Sequence, residues 1–352
     1  MLGSSNFVVP GSLEGRKMSN QLIRIAGYLL AAAMVLSACQ SMPATATPLI
    51  PYPLERGFKL YTDEPVLPMG SSGSWDSGLM DPGAVVYYAD RFHMFYDAVP
   101  SFPALIAVGY AASTDGITWT RAVTQPVFTI TNIPWQPKPT NFRMNSVMVV
   151  DGTWVLYFSA SNSYTELTGL VGRATASSPI GPWTVDPEPV LKPGENGEWD
   201  AGDVGHVDVI PSDKGYVMYY SSELGIGMAT SPDGIKWTKY NDPATSEAAF
   251  AKSDPVIAVP APVGQHDPNV VHTDHGWQMV YRSDRGLEYT TSADGIHWDS
   301  ATEKPLISPV DLQKTIWYSA FIVQDETAYL YFEAGSRNTS TYLATWTETP
   351  SD

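Results

Sequence analysis

The sequence predicts an all-β protein, a five-bladed β-propeller whose ring is closed by an N-terminal strand joining the last blade. Three observations predict it. The 352 residues hold only 16% charged residues but 28 Gly, 29 Pro, 11 Trp and 19 Tyr, a balance that favours strands and turns over charged helix surfaces. A four-strand pattern recurs five times at intervals of about 50 to 65 residues, the size of a propeller blade. One part of that pattern is missing from the last copy and stands instead ahead of the first.

Composition also excludes function classes. With 20 Lys+Arg against 37 Asp+Glu the net charge is -17, so the surface repels nucleic acid. One Cys cannot form a disulfide framework, and 43% hydrophobic residues are enough to build a core rather than a disordered chain.

The first 38 residues read as an export signal rather than fold. Met18 is the expected start, Arg24 gives the positive region, and Ile25 to Leu36 is an apolar run shorter than the roughly 20 residues of a membrane span. Leu36-Ser37-Ala38-Cys39 follows. It resembles the bacterial lipobox, which implies lipidation of Cys39 and an exported protein anchored to the cell envelope through that lipid. The alternative is a plain signal with an incidental cysteine. Removing residues 1–38 leaves 17 basic and 36 acidic residues, a net of -19. Residues 39–53, rich in Ser, Thr, Ala and Pro, read as a tether, and 54–350 as the propeller.

Within the propeller each blade carries the same marks. Ser113-Thr114-Asp115-Gly116-Ile117-Thr118-Trp119 recurs as Ser231-Pro232-Asp233-Gly234-Ile235-Lys236-Trp237 and as Ser292-Ala293-Asp294-Gly295-Ile296-His297-Trp298, with a looser copy at Ser177 to Trp183. Asp-Gly between strand-forming residues signals a hairpin, since Gly takes φ > 0. A proline followed by two apolar residues comes after each copy: Pro126-Val127-Phe128, Pro189-Val190-Leu191, Pro255-Val256-Ile257 and Pro305-Leu306-Ile307. The fifth instance, Pro65-Val66-Leu67, precedes them all, so Phe58 to Leu67 is expected to complete the last blade. The second strand of each blade is marked by Met94-Phe95-Tyr96, Leu156-Tyr157-Phe158, Met218-Tyr219-Tyr220, Met279-Val280-Tyr281 and Leu330-Tyr331-Phe332.

These marks resemble the five-bladed propeller glycosidases of the arabinanase, levansucrase and invertase group, glycosyl hydrolase families 43 and 32, over residues 54–350. A six-bladed sialidase is a weaker match, because its Asp-box has one residue between Asp and Gly. The resemblance implies a site at the starts of the innermost strands. A first-blade acid acts there as base or nucleophile, a second-blade acid orients it, and a third-blade Glu is the general acid.

The pattern Asp-Pro-x-apolar-apolar places Asp81 and Asp267 at the mouth, and counting back from the second-strand marks adds Asn145, His206 and Tyr318, with Asp97, Ser159, Ser221, Arg282 and Glu333 at the adjacent strand ends. Asp208 and Asn269, two residues on, share a face with His206 and Asp267. Such a ring suits a hydroxylated ligand. Asp81 is the candidate base or nucleophile, and His206 or Glu333 the candidate acid. His206 is alternatively a metal ligand or a channel histidine. Asp267, Arg282, Asp97, Asn145, Asp208, His266 and Tyr318 are candidates for substrate contact; Arg282 alternatively pairs with Asp267. Trp75-Asp76 and Trp199-Asp200 are a duplicated loop signal. It reads as a sugar-stacking aromatic beside a carboxylate (Trp75, Asp76, Asp200), or as a blade-packing Trp with an Asx-turn.

The sequence departs from the implied pattern: Asn145 cannot ionise, and no Glu stands at the third-blade strand start. The acid then comes from His206, Asp208, Glu223 or Glu333, or the domain binds glycans without cleaving them. No cofactor is required. Calcium held by His206 or His266 with carboxylates is allowed in the channel, since calcium takes oxygen ligands. The expected partner is an oligosaccharide or polysaccharide.

Overall fold

A computed structural model describes residues 58–101, 104–135, 138–161, 169–259, 266–301 and 303–347. The expected signal at 1–38, Cys39 and the tether at 39–53 lie outside the described residues.

The chain is an all-β, five-bladed propeller. Its first strand, β1 (Lys59–Leu60), belongs to the last blade. Blade 1 is β2 (Leu79–Tyr88), β3 (Arg91–Val99), β4 (Ala107–Ser113) and β5 (Thr120–Arg121), with β6 (Phe128–Thr129) beside β5 on the same edge of β4. Blade 2 is β7 (Asn141–Val150), β8 (Thr153–Ser161), β9 (Gly169–Ala176) and β10 (Thr184–Val185). Blade 3 is β11 (Gly205–Ser212), β12 (Gly215–Ser222), β13 (Gly225–Ser231) and β14 (Thr238–Lys239), with β15 (Pro255–Ala258) also on β13. Blade 4 is β16 (Asn269–Thr273), β17 (Gly276–Arg282) and β18 (Leu287–Ser292), and blade 5 is β19 (Thr315–Gln324), β20 (Thr327–Gly335) and β21 (Thr339–Thr347). The innermost strands β2, β7, β11, β16 and β19 each touch the next, and β19 returns to β2.

The displaced proline mark does what its displacement predicts. β1 pairs with β21 at Lys59↔Thr345 and Leu60↔Ala344, and Leu67 bridges Thr341. The other four marks pair with the third strands of their own blades: β6 with β4, Leu191 with Val171, β15 with β13, and Ile307 with Leu287. Five equivalent edges are therefore covered, the last by chain that precedes the first blade.

The Asp-Gly segments are wider turns than a two-residue hairpin, because side chains rather than a short ladder close them. Ser113 Oγ accepts from the Asp115 and Gly116 amides, and Asp115 Oδ1 from those of Ile117 and Thr118. The turns at Ser231 and Ser292 repeat this pattern. Each is locked by the preceding blade. Tyr331 OH donates to the Gly116 carbonyl (2.6 Å), Tyr157 to that of Gly234 (2.8 Å) and Tyr219 to that of Gly295 (2.7 Å). The same tyrosines take the turn tryptophans edge-on: Trp119, Trp237 and Trp298. Blade 2 lacks the Asp-Gly turn, and the equivalent position before it is Phe95, which meets Trp183 instead. The apolar core lies between blades, in clusters such as that joining Phe95 and Val108 to Phe142, Leu156 and Phe158.

Candidate active site

The innermost strands carry a register irregularity at the same depth. It falls between Asp81 and Ala84, Met144 and Ser146, Gly205 and Asp208, and Ile316 and Ser319. In β16's blade the backbone turns just before the strand, with Asp267 at φ +42, and His206 has φ +44. A bulge adds a residue on one strand and re-aims the side chains around it. Counting along an even ladder therefore misplaces the mouth. Asp97 faces Asp81 as expected, but Ser159 faces Arg143 and Ser221 faces Gly205. Arg282 takes its backbone partner from His266, and Glu333 falls opposite the Trp317–Tyr318 irregularity. The second-blade residue at Asp81's level is thus Arg143 rather than Asn145, and the third-blade one is Gly205 rather than His206.

A cavity of about 460 Å3 opens here, lined by Asp81, Asp97, Arg143, His206, Tyr318 and Glu333, with Trp317 and Asp203 also on its wall. All three catalytic candidates, Asp81, His206 and Glu333, line it, as do Asp97 and Tyr318. Arg143, Trp317 and Asp203 are among the lining residues that sequence reasoning did not assign. The Arg143-Met144-Asn145-Ser146 segment held the signal for Arg143, hidden by the bulge.

Arg143 organises the site. Its Nη1 donates to Asp81 Oδ2, and its guanidinium carbon lies 4.1 Å from the Tyr318 ring centroid. His206 stacks on the same Tyr318, centroids 5.4 Å apart and planes within 4°. Asp97 accepts from the Met144 amide through both oxygens (3.0 and 3.3 Å), and Asp81 Oδ1 accepts from the Gly83 amide (3.2 Å). Behind this layer, Asp267 Oδ2 accepts from the Ser319 amide (2.8 Å), and its Oδ1 is 3.8 Å from His206 Nδ1. Among the described residues, Glu333 Oε2 and His206 Nδ1 are buried without a hydrogen-bond partner.

Three buried carboxyl groups, Asp81, Asp97 and Glu333, thus share one cavity-lining guanidinium. Burial raises all three, because a charge loses its water. For Asp81 the nearby Arg143 charge opposes that rise. Burial and then the Asp81 charge push Asp97 well above the usual range, and push Glu333 up to about 8. Burial works against the Arg143 charge, yet Tyr318 and the surrounding acids hold the guanidinium above its ordinary value. The arrangement separates roles: Asp81, contacting the cation, carries the negative charge, and Glu333 keeps its proton at neutral pH.

The other expected site residues lie elsewhere. Asn145 and Asp208 face a smaller chamber of about 30 Å3 with Ser146 and Asn269. Asp208 accepts from Val270 N and Ser146 Oγ, and burial raises it to about 6. His266 is fully buried; its Nδ1 lies 3.3 Å from the Arg282 carbonyl, and burial, with the Arg282 charge, lowers it to about 4. Arg282 is buried behind Trp317 and Tyr318, its guanidinium carbon 5.1 and 5.9 Å from their centroids. Trp75, Asp76 and Asp200 are not on the cavity wall. Asp76 is buried between Arg121 Nε (2.8 Å) and Tyr96 OH (3.3 Å), with Trp75 stacked on Tyr96. Asp200 repeats this with Lys239 Nζ (2.5 Å), Tyr220 OH (3.1 Å) and Trp199. The duplicated Trp-Asp signal is a blade buttress, an internal ion pair under a stacked aromatic. Among the described residues, no three His, Cys, Asp or Glu side chains converge as a metal site.

Neither a protein-family model nor a curated protein sequence matches the chain. Solved structures do. A glycoside hydrolase structure from the family 130 mannoside phosphorylases, described as targeting beta-1,2 mannosidic linkages in Candida mannan, superposes with a TM-score of 0.62 at 17% identity, covering 88% of this chain and 97% of that one. A glycosyl hydrolase from Bacteroides ovatus gives 0.62 at 17% identity, covering 84% and 95%. A family 117 glycoside hydrolase from Zobellia galactanivorans gives 0.60 at 19% identity, covering 82% and 89%. At such identities the likeness shows the fold.

Proposed function

We propose that this propeller, built like those of glycoside hydrolases, is itself a glycosidase that hydrolyses oligosaccharides. The observation that carries the reading is the pair Asp81 and Glu333 in one cavity, the first paired with Arg143 and the second pushed up to about 8. Glycoside hydrolysis needs one ionised and one protonated carboxyl flanking the bond. Glu333 supplies the proton to the leaving oxygen. Asp81 acts as base or nucleophile, oriented by Arg143, and burial together with the Asp81 charge keeps the Glu333 proton in place. His206, stacked on Tyr318, is available to bind a sugar hydroxyl.

Water fits better than phosphate as the acceptor. Four carboxyl groups (Asp81, Asp97, Asp203, Glu333) line the cavity against Arg143, already paired, and His206. Arg143 is the sole Arg or Lys among the described lining residues, so a phosphate dianion would find no unpaired guanidinium or ammonium to hold it. The test is an aryl-glycoside and oligosaccharide screen of wild type, Asp81→Asn and Glu333→Gln, with and without inorganic phosphate. Turnover indifferent to both substitutions sinks the mechanism, and turnover that requires phosphate sinks the choice of acceptor.

A second reading, a carbohydrate-binding propeller without catalysis, is favoured by one contact: the Arg143 pairing makes Asp81 a weaker base. Glycan binding without turnover in the same screen would select it. The narrower kinship with families 43 and 32 rests on the repeats and on Asp81; the other carboxyl groups come from β3 and β20 rather than from the second and third blades. We propose further that the domain is exported and lipid-anchored at Cys39, supported by Leu36-Ser37-Ala38-Cys39 after a short apolar run. Labelled fatty acid that is incorporated equally by Cys39→Ser would refute the anchor.

A further inference from the structure

Trp317 stands in the innermost strand of blade 5 with 44% of its surface exposed, between buried Ile316 and half-buried Tyr318. Tryptophan carries more apolar area than almost any side chain, and leaving it in water forgoes the burial it usually supplies. The indole lines the cavity alongside Asp81, Arg143 and Glu333. It is held from the protein side. The buried Arg282 guanidinium lies 5.1 Å from its ring centroid, and Arg282 Nη1 donates to the Trp317 carbonyl at 3.5 Å. The ladder around it, from Ile316↔Ala334 to Ser319↔Phe332, fixes the backbone.

We infer that Trp317 is the stacking platform for an uncharged sugar ring. This rests on the glycoside reading above and narrows it. The apolar C–H face of a sugar matches an exposed indole, while its hydroxyls reach the carboxyl and imidazole groups across the cavity. Uronate or sulfated rings are excluded because Arg143, the sole Arg or Lys among the described lining residues, is already paired with Asp81, so a buried anion would find no free guanidinium or ammonium partner. The fixed indole needs little ordering when the ligand arrives, so its contact area converts efficiently to affinity.

The experiment measures binding by titration calorimetry in the Glu333→Gln background, which removes turnover, using neutral oligosaccharides chosen on a glycan array and their uronate counterparts. Covering on the order of 100 Å2 of indole face corresponds to roughly thirtyfold to two-hundredfold in affinity. Trp317→Ala should lose that factor for neutral glycans, and Trp317→Phe should recover most of it, both with unchanged circular dichroism. Equal binding by Trp317→Ala and its parent overturns the inference. Preference for uronate or sulfated glycans, or binding of no glycan at all, overturns it as well. The glycosidase reading fails on a different result, undiminished turnover by Glu333→Gln, which leaves the Trp317 measurement standing on its own.

Discussion

Glu333→Gln should make the protein more stable and inactive at once. The folded state holds Glu333 protonated up to about pH 8, while the unfolded chain releases that proton near 4.5. Between those values the unfolded state binds fewer protons, so wild-type stability is full below pH 4.5 and falls as pH rises toward 8. Over about 2.5 pH units up to pH 7, at about 1.4 kcal/mol per unit, the loss is on the order of 3 kcal/mol. Glutamine keeps the shape and a donor but cannot ionise in the unfolded chain, so the variant escapes that loss. For a domain of this size the gain is roughly 5 to 10 °C in Tm at pH 7. The assay is thermal unfolding of both proteins from pH 4 to 9. The Tm difference should be near zero at pH 4.5, grow to pH 8 and then level off. A difference independent of pH, or a less stable glutamine variant at pH 8, would refute the assignment of a retained proton. Activity should meanwhile drop about a hundredfold to ten-thousandfold, the usual contribution of a general acid.

Further outcomes follow from the site and from the interblade turns. Wild-type hydrolysis should fail above about pH 8 as Glu333 ionises; a flat rate-pH profile through pH 9 counts against its role. In Asp81→Asn the negative charge that raises Glu333 is gone, so the alkaline limb of any residual activity should move to lower pH; movement to higher pH contradicts the coupling. Gly234→Ala should cost about 2 to 4 kcal/mol, read from denaturant midpoints, because the residue sits at φ +71 and its Cβ would lie 2.6 Å from Tyr157 OH. Gly152→Ala, at φ +76 with nothing within 4 Å, should cost about 1 kcal/mol, and equal costs would refute the interblade lock. Tyr157→Phe should cost about 1 to 3 kcal/mol by leaving the buried Gly234 carbonyl unpaired.

The fold was legible because its signals are local and repeated. Ser-x-Asp-Gly closes a turn with its own side chains, and the proline mark forms its pairing wherever a third strand offers an edge. The site was less legible. Asp81 was found because Asp-Pro marks its place directly, with no counting across the irregularity between Asp81 and Ala84, and Asp97 because it directly follows the Met94-Phe95-Tyr96 mark. Arg143 escaped because a bulge shifts its strand at Asn145, and nothing in the residues of one strand announces an extra residue in its ladder. The Trp-Asp pairs left two readings open, a sugar-stacking aromatic and a blade-packing one, and contacts distant in sequence separate them. Their spacing was real, but Arg121 and Lys239 come from the outer strands of the same blades and neutralise Asp76 and Asp200 in the interior.

Sequence by itself determined five blades, the closing strand and the stock of carboxyl groups, since strand period, turn chemistry and repeat length are properties of neighbouring residues. Only the tertiary structure decided which carboxyl groups meet. Asp81, Asp97 and Glu333 come from the first and last blades, brought together by closure of the ring, and Arg143 reaches them from the second. Their different protonation follows from burial together and from the unequal reach of one guanidinium, and neither exists until the ring is closed.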